Sequence, residues 1–365
     1  MSAIYFAGAE VSTLTRALLD NGVTRILLSY FWISGMHREK AIARLQDEYP
    51  GVSWFLDSGA YSYWVQWSKG RGDQLDWRTY RARYFDYVDQ TWPRWCRIAE
   101  LDLDATFPEL TLEVIADWRE EMIERWPAAP IMPIWHAERG PEEWTSYCRD
   151  RRLSHLGIGS GTTMTGMQRK MVLEAHQWRK TVHVFGMTRV NTVMPYLPAD
   201  SVDSSSWLVG NRFGDVFIFR GSEFIRLNGN REKQSRKLYR THFERIGIDW
   251  RKIEADDGTE VRRANIIAWK RLGDRLVEID RRQKRTLAGQ GERAVDAGSP
   301  DAPLNASFPW EAPEGREATE EPPRWQGEGR EPTGERGAVE RGPGVLSRLG
   351  LAGDRAAKPA ARRRE

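Results

Sequence analysis

The chain has 365 residues, enough to bury one large core or two modest ones, and its 55 basic and 52 acidic residues leave a formal charge of only +3. No global polycation marks it as a nucleic-acid binder, so any basic patch has to be local. Two widely separated cysteines, Cys96 and Cys148, exclude a disulfide framework and a cysteine-rich zinc site. The amino terminus lacks a basic segment followed by a long apolar one, and no apolar run reaches membrane-spanning length, so a cytoplasmic protein without membrane contact is expected.

Short apolar runs alternate with amphipathic helical patterns from the start. Residues 4–8 read as a strand and 12–21 as a helix closed by Asn21-Gly22; 25–30 is a second strand and 38–48 its helix. The third strand, Trp54-Phe-Leu-Asp57, stops on a carboxylate, a hydroxyl and a glycine, and the helix 76–90 after it has Asp76 as its expected cap. Strands at 97–104, 131–136, 155–161 and 181–187 follow, with helices at 109–125, 141–151, 167–180 and 190–196 between them and an eighth strand at 201–207. Tryptophans such as Trp118, Trp126 and Trp144 fall in helical segments, where packing against a sheet is expected, with stacking on bases as the alternative.

Eight strand-helix units predict an α/β (β/α)8 TIM barrel over residues 1–210, with an open doubly wound sheet as the alternative. Residues 211–286 predict an appended β-hairpin, 215–219 with 223–227, and basic helices at 231–246 and 260–284. Lys233 with Lys237 and Arg236 with Arg240 share one helical side, which is either a solvated face or a surface for nucleic-acid phosphates. Residues 287–365, rich in Gly, Pro, Ala, Arg and Glu, predict a disordered tail.

In a barrel the carboxyl ends of the strands share one mouth, and here they carry Asp57, Asp102 and Asp104, Trp135 and His136, Gly157 to Gly161, Gly186 to Thr188, and Asp203. Two carboxylates across a small pocket can act as nucleophile and general acid/base at an acetal-like carbon. Asp57 and Asp203, on strands three and eight, are the candidates. Ordinary structural roles remain open for Asp57-Ser-Gly as a turn, Asp203 as a loop cap and His136 as a structural histidine.

The ordered set Asp57-Ser-Gly-Ala-Tyr61, Leu101-Asp-Leu-Asp104, Leu156-Gly-Ile-Gly-Ser-Gly161, Val184-Phe-Gly-Met187 and Val202-Asp-Ser204 resembles the tRNA-guanine transglycosylases, barrel enzymes that exchange guanine for a 7-deazaguanine base. The resemblance implies Asp203 as nucleophile at the sugar C1′ and Asp57 as acid/base, with no cofactor. It implies Asp102, or Asp104 if the register slips, as reader of the guanine edge, with Ser58 assisting. Backbone N–H groups near Gly159 would bind the base carbonyl, and Tyr61 and Phe185 would sandwich the base. Trp135 and His136 stand where the family usually supplies a glutamine.

Tailward of strand eight the family's tRNA enzymes carry a three-cysteine, one-histidine zinc site, and this sequence has no cysteine there. The chain is therefore more similar to the DNA-directed relatives (DpdA-type) of phages and bacteria, whose marks protect DNA from restriction. That implies a flipped or single-stranded guanine in DNA, a free 7-deazaguanine base such as the 7-cyano form, a DNA-opening partner protein, and a host-cell cytoplasm for a phage-encoded copy. Exchange on tRNA, or a nucleic-acid-binding barrel without catalysis, are the alternatives.

Overall fold

The computed structural model describes residues 3–295 apart from 72–75, 105, 106, 108, 160–164, 188–196, 222, 230 and 231. The helix expected at 190–196 and nearly all of the expected tail lie outside the described residues, as does a second unit, Pro300–Glu365.

The strands of the main sheet are β1 (Ala3–Phe6), β2 (Arg25–Ser29), β3 (Ser53–Asp57), β4 (Arg97–Ala99), β5 (Ile131–Met132), β6 (Ile134–Trp135), β7 (His155–Ile158), β8 (Thr181–Val184) and β9 (Ser201–Ser204). They lie parallel in the order β5-β4-β3-β2-β1-β9-β8-β7-β6. The two ends of that order are one stretch of chain divided at Pro133. Proline has no N–H to give a ladder, so Ile131 and Met132 pair with β4 while Ile134 and Trp135 pair with β7. The interrupted strand closes the sheet, and the fold is the expected (β/α)8 barrel.

Alternation along the strands separates two layers. Tyr5, Ala7, Leu27, Phe55, Ala99, Met132 and Ile134 fill the barrel interior. Ile4, Phe6, Ile26, Leu28, Trp54, Leu56 and Ile98 face the surrounding helices and join their apolar sides in the main core. Continued one step further, the inward series of several strands reaches the mouth at Ser29, Asp57, His136, Gly159, Phe185 and Asp203. Local signals set the helices: Asp76 accepts from the Arg78 and Thr79 N–H groups at 3.1 Å to start Trp77–Thr91, and Thr111 caps Leu112–Arg125.

Strands β10 (Val216–Arg220) and β11 (Glu223–Leu227) form the expected hairpin. It encloses a small core of its own with Phe243, Ile248, Trp250, Ile253 and Val261. The expected helix 231–246 is a 3-10 segment, Gln234–Tyr239, followed by an α-helix, Arg240–Arg245. The last helix, Gly258–Val295, runs past the boundary expected at 286 and is no mere appendage. Its Ile266, Trp269, Leu272 and Leu276 join the main core with Ile4, so it covers β1 where an eighth barrel helix belongs.

The basic run lies on this part of the chain and corrects one expectation. Arg236 is 1% exposed, its guanidinium held by Asp256 at 2.5 Å and by the Gly214 and Ile253 carbonyls at 2.5 and 3.3 Å. A side chain so enclosed cannot meet a phosphate; it ties the hairpin to the segment before the last helix. Lys233 shares Asp256, Lys237 stands 3.9 Å from Glu254, and Arg240 bonds Glu244 at 2.8 Å. These three exposed cations are each matched to a carboxylate.

Candidate active site

Asp57 ends β3 and faces into the mouth. Gly59 donates its backbone N–H to the Asp57 carboxylate at 3.1 Å. Its φ of +82° is a left-handed conformation, and a Cβ there would lie 2.5 Å from Phe31 and 2.8 Å from the Tyr80 hydroxyl. Glycine is thus required twice over to turn the chain from strand into the helix Ala60–Gln66. Burial above all, then the charges of Asp102 and Asp203, pushes the Asp57 carboxyl up to about 8, against the weaker pull of the Ser29 hydroxyl and the Gly59 amide. At neutral pH Asp57 is mostly a protonated acid.

Asp203, 8% exposed, ends the inward series of β9, three strand positions from Asp57 in an eight-strand wall, so the two carboxyls approach from nearly opposite sides. Its Oδ1 accepts the Gly186 N–H at 2.8 Å and faces His183 Nε2 at 3.3 Å. A carboxylate only accepts, so Nε2 carries the proton and Nδ1, 2.9 Å from Ser201 Oγ, accepts from that hydroxyl. Ser201 in turn receives an Arg97 N–H at 2.9 Å. Burial holds the His183 imidazole below its usual range, against the pull of Asp203, and so keeps it neutral. Among the described residues no lysine or arginine pairs with Asp203; donors of fixed orientation hold it.

Asp102 lies just beyond β4. Its Oδ1 accepts from Ser58 Oγ at 2.9 Å, and its Oδ2 lies 2.8 Å from His136 Nε2. Burial works to lower the His136 pKa, but the bond to Asp102 and its charge outweigh that and raise it. The imidazole lies over Gly159, where a Cβ would stand 2.4 Å from the ring.

Several expected roles are corrected by this geometry. Asp104 is held by both ends of the Arg139 guanidinium at 3.0 and 2.7 Å, in a network that also joins Arg139 and Arg119 to Glu100 and Tyr147. It is a structural anion, whereas Asp102 has no arginine partner among the described residues and bonds only Ser58 and His136 there. Trp135 faces outward, 2% exposed, bonding the Gly140 carbonyl at 2.6 Å and packing on Trp144, so it does not line the mouth. Gly159 gives its own N–H to the Trp135 carbonyl at 2.8 Å and, lacking a side chain, admits the His136 ring; the neighbouring N–H groups of residues 160 and 161 lie outside the described residues. Tyr61 is 68% exposed with its ring beside Trp64, while Phe185 lies inside against Phe55 and His183 at 5.8 and 4.5 Å. The two rings do not form the expected sandwich; Phe185 is the floor.

Sequence reading passed over His183, Ser201 and Arg97. The signal was there in period two: Thr181, His183 and Phe185 share a face, as do Ser201 and Asp203. It also passed over Glu10, after β1, whose carboxylate accepts the Ser29 N–H at 3.2 Å and whose pKa burial raises. Among the described residues, no three His, Cys, Asp or Glu side chains converge as a metal site, and no helix is long and apolar enough to cross a membrane.

The fold and site together define a closed α/β barrel with three acidic side chains, one of them protonated, around its mouth. No known family model matches the sequence, and no curated protein matches it. Similar folds among solved structures include muconate lactonizing enzyme from Pseudomonas putida, at 10% identity and TM-score 0.37 over 53% of this chain and 49% of that one. The chain thus spans about half the length of that enzyme. QR15, an aldolase, is 11% identical at TM-score 0.38 over 56% of this chain and 90% of its own. A protein from Aquifex aeolicus VF5 is 10% identical at TM-score 0.39 over 73% and 91%.

Proposed function

We propose that the protein is an enzyme, a guanine transglycosylase that exchanges guanine in DNA for a free 7-deazaguanine base, such as 7-cyano-7-deazaguanine, through a covalent glycosyl-aspartate. The observation that carries this reading is the division of labour between two carboxyls at one mouth: Asp57 held as an acid up to about pH 8, and Asp203 oriented by neutral donors across from it. Asp203 attacks C1′ while the glycosidic electrons pass to the departing guanine, which takes the Asp57 proton. The incoming base then loses its N9 proton to the Asp57 carboxylate and attacks C1′, releasing Asp203. Bond energy is kept in the intermediate, so the exchange needs no cofactor.

Asp102 still has lone pairs to accept the amide and amine hydrogens of guanine while bonded to Ser58 and His136. His136, in the family's glutamine position and with its pKa raised by Asp102, donates Nδ1–H to the base carbonyl in its protonated form, and Phe185 lies beneath. Preference for DNA over tRNA is supported by the sequence after Asp203, which contains no cysteine to build the zinc site of the tRNA enzymes. In duplex DNA the guanine has to be flipped out or presented in a single strand.

The test is transfer of radiolabelled guanine or 7-deazaguanine into DNA and, in parallel, into tRNA. Label in DNA that vanishes with Asp203→Ala and with Asp57→Ala supports the proposal. Label confined to tRNA replaces the substrate, and no label in either polymer refutes the exchange.

A further inference from the structure

The rim above β3 and β4 turns aromatic rings out into solvent. Tyr61 is 68% exposed, Trp64 40%, Trp67 38% and Trp32 37%. Tyr61 and Trp64 stand on the helix that starts three residues after Asp57, their ring centres 6.0 Å apart and their planes 33° from parallel. Trp67 follows on the same segment, edge-on to Phe107 at 5.6 Å, and Trp32 is pinned to it by a 3.0 Å bond from Nε1 to Ser62 Oγ. Neighbours and hydrogen bonds hold these rings while leaving their surfaces wet, an unfavourable arrangement for a chain with nothing to place on them.

Two exposed cations stand among the rings. Lys69 and Arg78 are exposed and have no ion pair among the described residues; Arg78 lies 4.3 Å over the Trp77 ring. Asp76 and Glu109 feel the Arg78 charge without a direct ion pair, and neutral donors fix the acids in place. Asp76 caps its helix, Glu109 accepts from Trp77 Nε1 at 3.1 Å, and Glu39 accepts the Gly35 N–H at 3.0 Å. Flat apolar faces interleaved with exposed cations that make no direct ion pair suit a single strand, whose bases expose faces to stack and whose phosphates need neutralising. A duplex hides those faces.

We propose that this rim is a binding platform for single-stranded DNA beside the target guanine, with bases stacking on Tyr61, Trp64 and Trp67 and phosphates meeting Lys69 and Arg78. The DNA substrate rests on the function proposed above; stacking and charge rest on the rim alone. The experiment is anisotropy of a fluorescent oligothymidylate with the full chain across a salt series. Tyr61→Ala with Trp64→Ala should weaken binding at least about tenfold. Lys69→Gln with Arg78→Gln should flatten the slope of log affinity against log salt by roughly 1.4, about 0.7 for each phosphate left without its cation. Leucine at 61 and 64 keeps apolar bulk for the fold but removes the flat ring, and should weaken binding as alanine does.

Leucine variants that bind like the parent would overturn stacking and point to a protein partner on the rim. Tighter, equally ring-dependent binding of oligouridylate would overturn the commitment to DNA. Ring-dependent DNA binding without base exchange leaves the platform standing and removes the transglycosylase reading. Base exchange with ring-independent binding does the reverse.

Discussion

Two groups of carboxylates sit at the same end of β4, a few residues apart, and the chain treats them in opposite ways. Glu100 and Asp104 are met by Arg119 and Arg139, with the Tyr147 hydroxyl and the Ile134 N–H completing the network. Asp102 turns the other way, into the mouth, where it joins Asp57 and Asp203 with a serine, a histidine and backbone amides for company. One group is neutralised by guanidinium ions; the other is left to settle its charge by holding a proton. Buried anions matched by arginine stabilise a fold, whereas anions crowded without such partners are poised for proton transfer. The difference separates structural from chemical acid in a run, Glu100-Leu-Asp-Leu-Asp104, where the residue types alone look equivalent.

The largest expected effect breaks the mouth group. Asp203→Ala should lower the proposed base exchange by a factor on the order of 10³ or more while leaving the circular dichroism spectrum unchanged, because the proposed bond to C1′ then has no carboxylate to form it. Next comes the other group. Arg139→Ala leaves Glu100 and Asp104 buried without their shared cation and should cost about 3–5 kcal/mol in urea unfolding. Asp104→Asn should cost less and leave the exchange rate of the folded protein near the parent's. Loss of exchange with stability intact in Asp104→Asn would reverse the assignment of the two groups.

The third effect is a pH dependence. Asp57 keeps its proton in the folded protein up to about pH 8, whereas the unfolded chain releases it near 3.9. Between those values the folded state binds more protons, so Asp57 makes stability fall as pH rises from about 4 to 8, with the loss complete above that. Asp57→Asn should therefore raise the melting temperature relative to the parent at pH 9 and change it least near pH 4, while abolishing exchange at both. A melting temperature lowered equally at the two pH values would mean that Asp57 is an ordinary turn residue.

Much of this was legible in the strands and little of it in the turns. Alternation from Tyr5 to Ala7 and from Leu27 to Ser29 gives the barrel, and the polar residues at strand ends give Asp57, Asp102, His136 and Asp203. The partner of a charge is not a local property. Asp102 and Asp104 each follow a leucine in one short run, and what separates them is Arg139, 35 residues on from Asp104. Arg236 misled for the same reason: its helical spacing fits a solvated face, but Asp256 and two carbonyls enclose it. The eighth helix was hidden too, because the hairpin and its small core intervene between β9 and the segment that covers β1.

The smallest effect sharpens how the mouth is held. Backbone donors near Gly159 were expected to face the base; the Gly159 N–H itself belongs to the barrel ladder, and what its missing side chain provides is room for His136. Gly159→Ala should displace the ring from Asp102 and slow exchange by about tenfold, chiefly through the apparent affinity for the free base, with little change in unfolding free energy. His136→Ala removes the ring outright. If residue 159 acts through that ring, adding Gly159→Ala to His136→Ala should change nothing further, a coupling a double-mutant cycle reads directly. Two independent, multiplying losses would instead mean that the glycine touches the substrate itself, returning it to the role its position after strand β7 first suggested.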